Sequence, residues 1–243
     1  MRLLDTSTLA LHSFVGDDTP PYAILSHTWG AEEVSFQDML SLQNPVNQTA
    51  GYHKIEQCCA QALKDGHEYA WVDTCCIDKT NSAELSEAIN SMFRWYQVAD
   101  ECYAHLEDIE PGSDLSLLGE SRWFTRGWTL QELIAPSSVI FFDRLWLKIG
   151  DKFTLSEIIE SQTGIPFDIL LAYESVFMDY SIAQVMSWAS KRCTTRGEDR
   201  AYSLLGLFQV SMPMLYGEGS VQAFRRLQLE IIKTSIDHSI FAW

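Results

Sequence analysis

The chain has 243 residues, a formal net charge of −16 and a sequence pI near 4.6. A protein this acidic is poorly suited to gripping a phosphate backbone or an anionic membrane surface, so nucleic acid is excluded as an expected partner. Its 47% hydrophobic and 21% charged residues are those of a folded domain that can bury a core without staples, and they exclude disorder over most of the length.

Residues 1–21 read as an arm or short strand ending at Pro20-Pro21. Tyr22–Ser26 is a short apolar run stopped by His27-Thr28-Trp29-Gly30, the pattern of a buried strand entering a loop. Ile55, Cys58, Cys59, Ala62 and Leu63 recur at helical spacing, with Gly66 placed as a C-terminal cap. Tyr69–Asp73 predicts a second buried strand, followed by Thr74–Asp78 and a polar loop to Ser82. Asn81 with Glu84 fits a capping box opening a helix whose apolar stripe is Leu85, Ile89, Met92, Phe93 and Tyr96. Cys102–Leu106 is a third strand, and the acidic segment Glu107–Glu120 reads as a solvated loop. Ser121 is placed to cap a helix carrying Trp128–Leu133 and ending before Pro136. Val139–Phe142 is a fourth strand.

This alternation predicts an α/β fold over residues 1–145, an open, mostly parallel sheet with helices on both faces. Residues 146–243 predict a mainly helical extension packed on that core, with helical patterns over 154–161, 182–190, 198–208 and 220–234. No apolar run approaches the roughly 18–20 residues needed to span a bilayer. Six cysteines, four of them in the adjacent pairs Cys58-Cys59 and Cys75-Cys76, do not read as a disulfide framework. The expectation is a reduced, cytoplasmic protein with mostly buried thiols.

Several motifs are missing from the sequence. There is no phosphate-cradling G-x-x-x-x-G-K-[ST], Gly217-Glu-Gly219 lacks the third glycine of a dinucleotide fingerprint, and neither H-E-x-x-H nor paired C-x-x-C is present. No metal site is expected, since Cys75, Cys76 and His27 read better as core residues than as zinc ligands. Cys76 with His27 also forms a candidate thiolate–imidazole pair at the ends of two strands, without an evident orienting third group.

The stronger constellation is Ser26, His27 and Trp29 after the first strand, Asp73 and Asp78 around the end of the second, and Trp128 with Glu132. Trp128 and Glu132 are four apart, so an indole lies beside a carboxylate on one helical face. Arg122 and Arg126 have the same spacing just upstream and are suited to neutralising a diphosphate. The structural alternative makes Trp128 a core residue and Glu132 the ion-pair partner of one of these arginines.

Three blocks, Tyr22–Gly30, Trp71–Asp78 and Arg126–Leu133, resemble the fungal heterokaryon-incompatibility (HET) domain, and Thr194–Gly206 and Met214–Gly219 resemble its end. The resemblance implies a cytoplasmic effector of non-self recognition that triggers cell death, often carried at the N-terminus of a larger receptor. More distantly the chain is similar to Toll/interleukin-receptor (TIR) domains, flavodoxin-like sheets several of which cleave NAD. Their W-C-x-x-E-L pattern matches Trp128-Thr-Leu-Gln-Glu-Leu133, with Thr129 in place of cysteine, while the last 100 or so residues have no TIR counterpart. The match implies that Glu132 is the catalytic glutamate and NAD the substrate, with no cofactor and with self-association on activation. Ser26, His27, Trp29, Asp73, Asp78, Arg122, Arg126 and Trp128 are the candidate substrate-binding residues around it. Two other functions remain open at this point: a non-catalytic homotypic signalling or adaptor domain, and a Cys–His hydrolase.

Overall fold

The N-terminal arm is a hairpin, β1 (Arg2–Asp5) with β2 (Leu11–Ser13), paired antiparallel with each other. The core begins at β3 (Ala23–His27), whose five residues are all buried. A strand buried at every position, not every second one, must be covered on both faces. In the computed structural model, which describes residues 1–41, 49–171 and 180–242, that cover comes from the helices that follow.

After α1 (Phe36–Leu40), helix α2 (Ala50–Asp65) buries Ile55, Cys58, Cys59 and Ala62 and stops at Gly66, whose left-handed φ of 93° suits a residue without a Cβ. Strand β4 (Tyr69–Trp71) is shorter than expected, because Asp73 already opens the single turn α3 (Asp73–Cys76). Helix α4 (Ser82–Val98) starts at Asn81, whose side chain accepts from the amides of Ala83 and Glu84. Only half of the anticipated capping box forms. Glu84 turns away to accept from the amide of Asp78 at 2.7 Å and to pair with Arg2.

Strand β5 (Glu101–His105) follows. The single helix expected from Ser121 is two short ones, α5 (Arg122–Thr125) and α6 (Thr129–Ile134). The chain leaves helical geometry at Arg126, which forms a β-bridge with Cys193. β6 (Val139–Phe142) and β7 (Lys148–Asp151) complete the sheet, so its last strand lies beyond residue 145.

The strand order is β2-β1-β4-β3-β5-β6-β7. The four central strands β4-β3-β5-β6 run parallel, and antiparallel strands occupy both edges. Numbered along the chain, the parallel strands take the order 2-1-3-4 of flavodoxin-like sheets, which places the topological switch point between β3 and β5. Ligands of open α/β sheets bind beyond the carboxyl ends of the strands at that point.

The C-terminal region comprises α7 (Ser156–Thr163), α8 (Phe167–Leu171), α9 (Ile182–Ala189), α10 (Asp199–Tyr202) and α11 (Ser220–Thr234). The expected helix over 198–208 is a single turn, because the chain must coil tightly against α4. A Cβ on Gly206 would lie 2.0 Å from the Cβ of Phe93 on that helix. Gly206→Ala therefore forces two backbones apart, and a loss of about 1–3 kcal/mol is expected. Urea unfolding should show a lower midpoint at unchanged slope.

Candidate active site

Ser26 is the fourth residue of β3, and its hydroxyl sits in the core between two helices. It accepts from the indole Nε1 of Trp123 at 2.8 Å and donates to Glu132 Oε2 at 2.5 Å. Trp123 on α5 is wholly buried, so the hydroxyl has one orientation that satisfies both neighbours, and Glu132 on α6 is fixed through it. The short helices are held in turn by Arg192, whose Nη1 donates to the Arg126 carbonyl and the Thr129 hydroxyl, both at 2.9 Å.

Glu132 is 6% exposed and forms no ion pair within 4.0 Å among the described residues. Burial pushes its carboxyl up to about 7, with the charge of Asp73 adding to the rise, while the Ser26 hydrogen bond and Arg126 act against it. Its side chain lines a cavity of about 250 Å³. That is slightly below the roughly 300–1,000 Å³ of typical small-molecule sites, and it suits a ring-and-sugar portion of a ligand.

Each of the two indoles lining this cavity is anchored by a carboxylate. Trp29 Nε1 donates to Asp73 Oδ2 at 3.0 Å, and Trp128 Nε1 donates to Asp199 Oδ2 at 3.2 Å. Asp73 Oδ1 is 3.0 Å from His27 Nε2. Burial raises the Asp73 carboxyl, but Lys79, His27 and Arg126 together outweigh it and hold Asp73 below the usual carboxylate range. His27, buried and near Lys54, is pushed down toward the neutral form. Lys79 Nζ stands 3.7 Å from the centre of the Trp29 ring.

The far wall comes from the C-terminal region: Thr194, Arg196, Asp199 and Tyr216. Asp199 Oδ1 accepts from the Tyr216 hydroxyl at 2.9 Å, and Glu198 Oε1 accepts from the amides of Gly217 and Gly219 at 2.9 and 3.0 Å. The segments 194–206 and 214–219 are thus clasped together across the cavity, with Gly217 at a φ of 104° that a Cβ would strain.

A family profile described as "Heterokaryon incompatibility protein (HET)" matches residues 22–117. The chain is also 50% identical over 224 residues to "Vegetative incompatibility protein HET-E-1" of Podospora anserina, a match covering 88% of this chain and 16% of that protein. The chain carries a heterokaryon-incompatibility domain. It spans about one sixth of the length of that curated relative, and no solved structure matches it significantly.

Of the residues anticipated for the HET-domain site, His27, Trp29, Asp73, Arg126, Trp128 and Glu132 line the one cavity, and Ser26 lies beneath it. Asp78 and Arg122 do not line it. Asp78 accepts from Gln37 and Thr80 on the outside of its loop, and Arg122 is exposed beside Glu107 and Asp108. The bend at Arg126 is what parts the two arginines. Glu132 has neither arginine as an ion-pair partner, and Trp128, half-buried against the core, also lines the cavity.

Cys76 Sγ accepts from the Val72 amide at 3.4 Å while His27 is engaged by Asp73, so no hydrogen bond joins that cysteine and histidine. Five cysteines are buried and Cys193 is exposed, all as free thiols. Among the described residues no cluster of three or more His, Cys, Asp or Glu is arranged to hold a metal, and no helix is long and apolar enough to cross a membrane. Sequence reasoning missed Lys79, Tyr96, Arg196, Asp199 and Tyr216. The last three belong to blocks of the tail that resembled the family without any assigned role.

A carboxyl raised from 4.5 to about 7 by folding costs stability once it must ionise. Below the unfolded value both states are protonated, and the wild type should match Glu132→Gln. Between pH 4.5 and 7 the unfolded chain ionises first, so the wild type should fall behind the glutamine variant. The gap should level off near 3 kcal/mol by pH 8, on the order of 1.4 kcal/mol per pH unit. Paired urea titrations at pH 4, 6 and 8 measure it.

Proposed function

We propose that this HET domain is a cytoplasmic effector of heterokaryon incompatibility, the fungal rejection of non-self, and that it triggers death by cleaving NAD at the nicotinamide–ribose bond. The observation that carries this reading is Glu132: a buried carboxylate without an ion-pair partner among the described residues, fixed by Ser26 and facing a cavity beside an indole. The similarity of Trp128–Leu133 to the TIR motif supports the same assignment, as does the cavity's place at the carboxyl edge of a flavodoxin-ordered sheet.

In the hydrolysis, the bond between ribose C1′ and the pyridinium nitrogen breaks and its electron pair leaves with nicotinamide as a neutral base. Water adds to C1′ and gives up a proton, yielding ADP-ribose. The leaving group needs no proton, so the general acid of the usual two-carboxylate arrangement is unnecessary. Positive charge moves from the pyridinium onto the sugar, and a fixed carboxylate beside the sugar stabilises it.

An empty cavity makes the Glu132 anion costly, while a cationic pyridinium supplies the missing partner and favours the ionised form. Stacking on the nicotinamide falls to Trp128, since Lys79 already stands over Trp29. In this reading the domain works within a larger receptor, and self-association on activation raises its turnover.

Nicotinamide release from NAD, followed at high protein concentration, should be lost by 100-fold or more in Glu132→Gln, the scale of removing a principal electrostatic group. In the wild type, kcat/KM should rise with pH through about 7 as Glu132 ionises. Absence of turnover at every concentration, with Glu132→Gln still lethal in cells, would identify an adaptor instead.

Ser26 acts as a positioning residue whose hydrogen bond holds the carboxyl down. Ser26→Ala should therefore move the acidic limb of the kcat/KM profile to higher pH, whereas a purely structural serine would lower activity without moving it.

A further inference from the structure

The chain carries 17 basic residues against 33 acidic ones, yet Lys79, Arg126 and Arg196 all line this cavity. Arg2, Arg122, Arg144 and Arg226 pair with carboxylates, whereas Arg94, Arg126, Arg192, Arg196, Arg200 and Arg225 have none within 4.0 Å among the described residues, and of these six Arg126 and Arg196 are the two that line the cavity. Three carboxylates share the cavity but are already engaged. Asp73 holds His27 and Trp29, Asp199 holds Trp128 and Tyr216, and Glu132 is bonded to Ser26.

The two arginines are also fixed relative to each other. The Cys193 amide donates to the Thr125 carbonyl at 2.7 Å, and the Gly127 amide donates to the Cys193 carbonyl at 2.8 Å. This bridge sets the Arg126 turn beside the segment that carries Arg196. Arg196 lies with its guanidinium carbon 4.3 Å from the centre of the Tyr216 ring, and stacking leaves its N–H edge free to donate. Unpaired guanidinium groups at a cavity mouth match the oxygens of a phosphate or diphosphate.

From this arrangement we infer that Arg126 and Arg196 form a diphosphate grip, so that the C-terminal region, and not the sheet alone, recognises the nucleoside diphosphate half of the ligand. The inference rests on the NAD reading only for which dinucleotide is held. The grip itself requires a nucleoside diphosphate and no chemistry at Glu132.

Calorimetric titration of the Glu132→Gln chain with ADP tests it apart from turnover. ADP should bind at least ten times more tightly than adenosine, and the difference should shrink with added salt. Arg196→Gln should weaken ADP at least tenfold and leave adenosine unchanged, while Arg200→Gln, which removes an exposed charge outside the cavity, should change neither. Equal binding of ADP and adenosine, or an unaltered ADP affinity in Arg196→Gln, would overturn the inference. If ADP binds as expected but the wild type never releases nicotinamide, the grip stands and the NAD reading fails. If NAD is cleaved with a KM that Arg196→Gln leaves unchanged, the grip fails and the reading stands.

Discussion

A hydroxyl on the central strand organises this domain. Ser26 joins the sheet to both short helices beside it, accepting a hydrogen bond from the Trp123 indole and donating one to Glu132. The indole N–H can only donate and an ionised carboxylate can only accept, so the hydroxyl hydrogen points to Glu132 while a lone pair takes the indole. The result is a carboxylate whose position is set by packing and whose charge is opposed by burial. A protein that buries an acid without a counter-ion gives up stability, and such an arrangement is characteristic of sites where the acid meets a ligand.

The rest of the architecture serves that position. The 2-1-3-4 order of the parallel strands opens a crevice beyond their carboxyl ends, and the last residue of β3, the loop after it and the turn after β4 supply His27, Trp29 and Asp73 to one side of it. The break between α5 and α6 supplies Arg126 and Trp128, and the clasped tail closes the far wall. Asp73 and Asp199 act alike, each spending its oxygens on an indole and one further ring, which keeps the aromatic lining in place when the cavity is empty.

Much of this was legible in the sequence where one local rule decided the outcome. The continuous apolar run after Tyr22, the glycine at position 66 and the stripe from Leu85 to Tyr96 each pointed to the element that forms. Helical spacing paired Trp128 with Glu132, the resemblance to the TIR motif singled Glu132 out, and the structure sets both on the cavity wall. The failures have a common cause in long-range partners. Glu84 abandons its cap for Arg2, and the Arg122–Arg126 face is broken by a bridge to Cys193, 67 positions on from Arg126. Lys79, the Arg196–Asp199 stretch and Tyr216 come from three segments that only the folded chain juxtaposes, so no spacing could have assembled them. β7 was hidden because an edge strand of mixed character, Lys148-Ile-Gly-Asp151, carries neither alternation nor a run.

The central claim, that a ligand-facing acid at position 132 titrates near neutrality and is answered by a cationic ring, is open to direct measurement. Carbon-13 NMR of the glutamate carboxyl groups, with Glu132 assigned by its loss in Glu132→Gln, should give a midpoint near 7 in the free protein. Saturating nicotinamide mononucleotide should lower that midpoint. A resonance that titrates in the ordinary glutamate range and ignores the nucleotide would contradict the account.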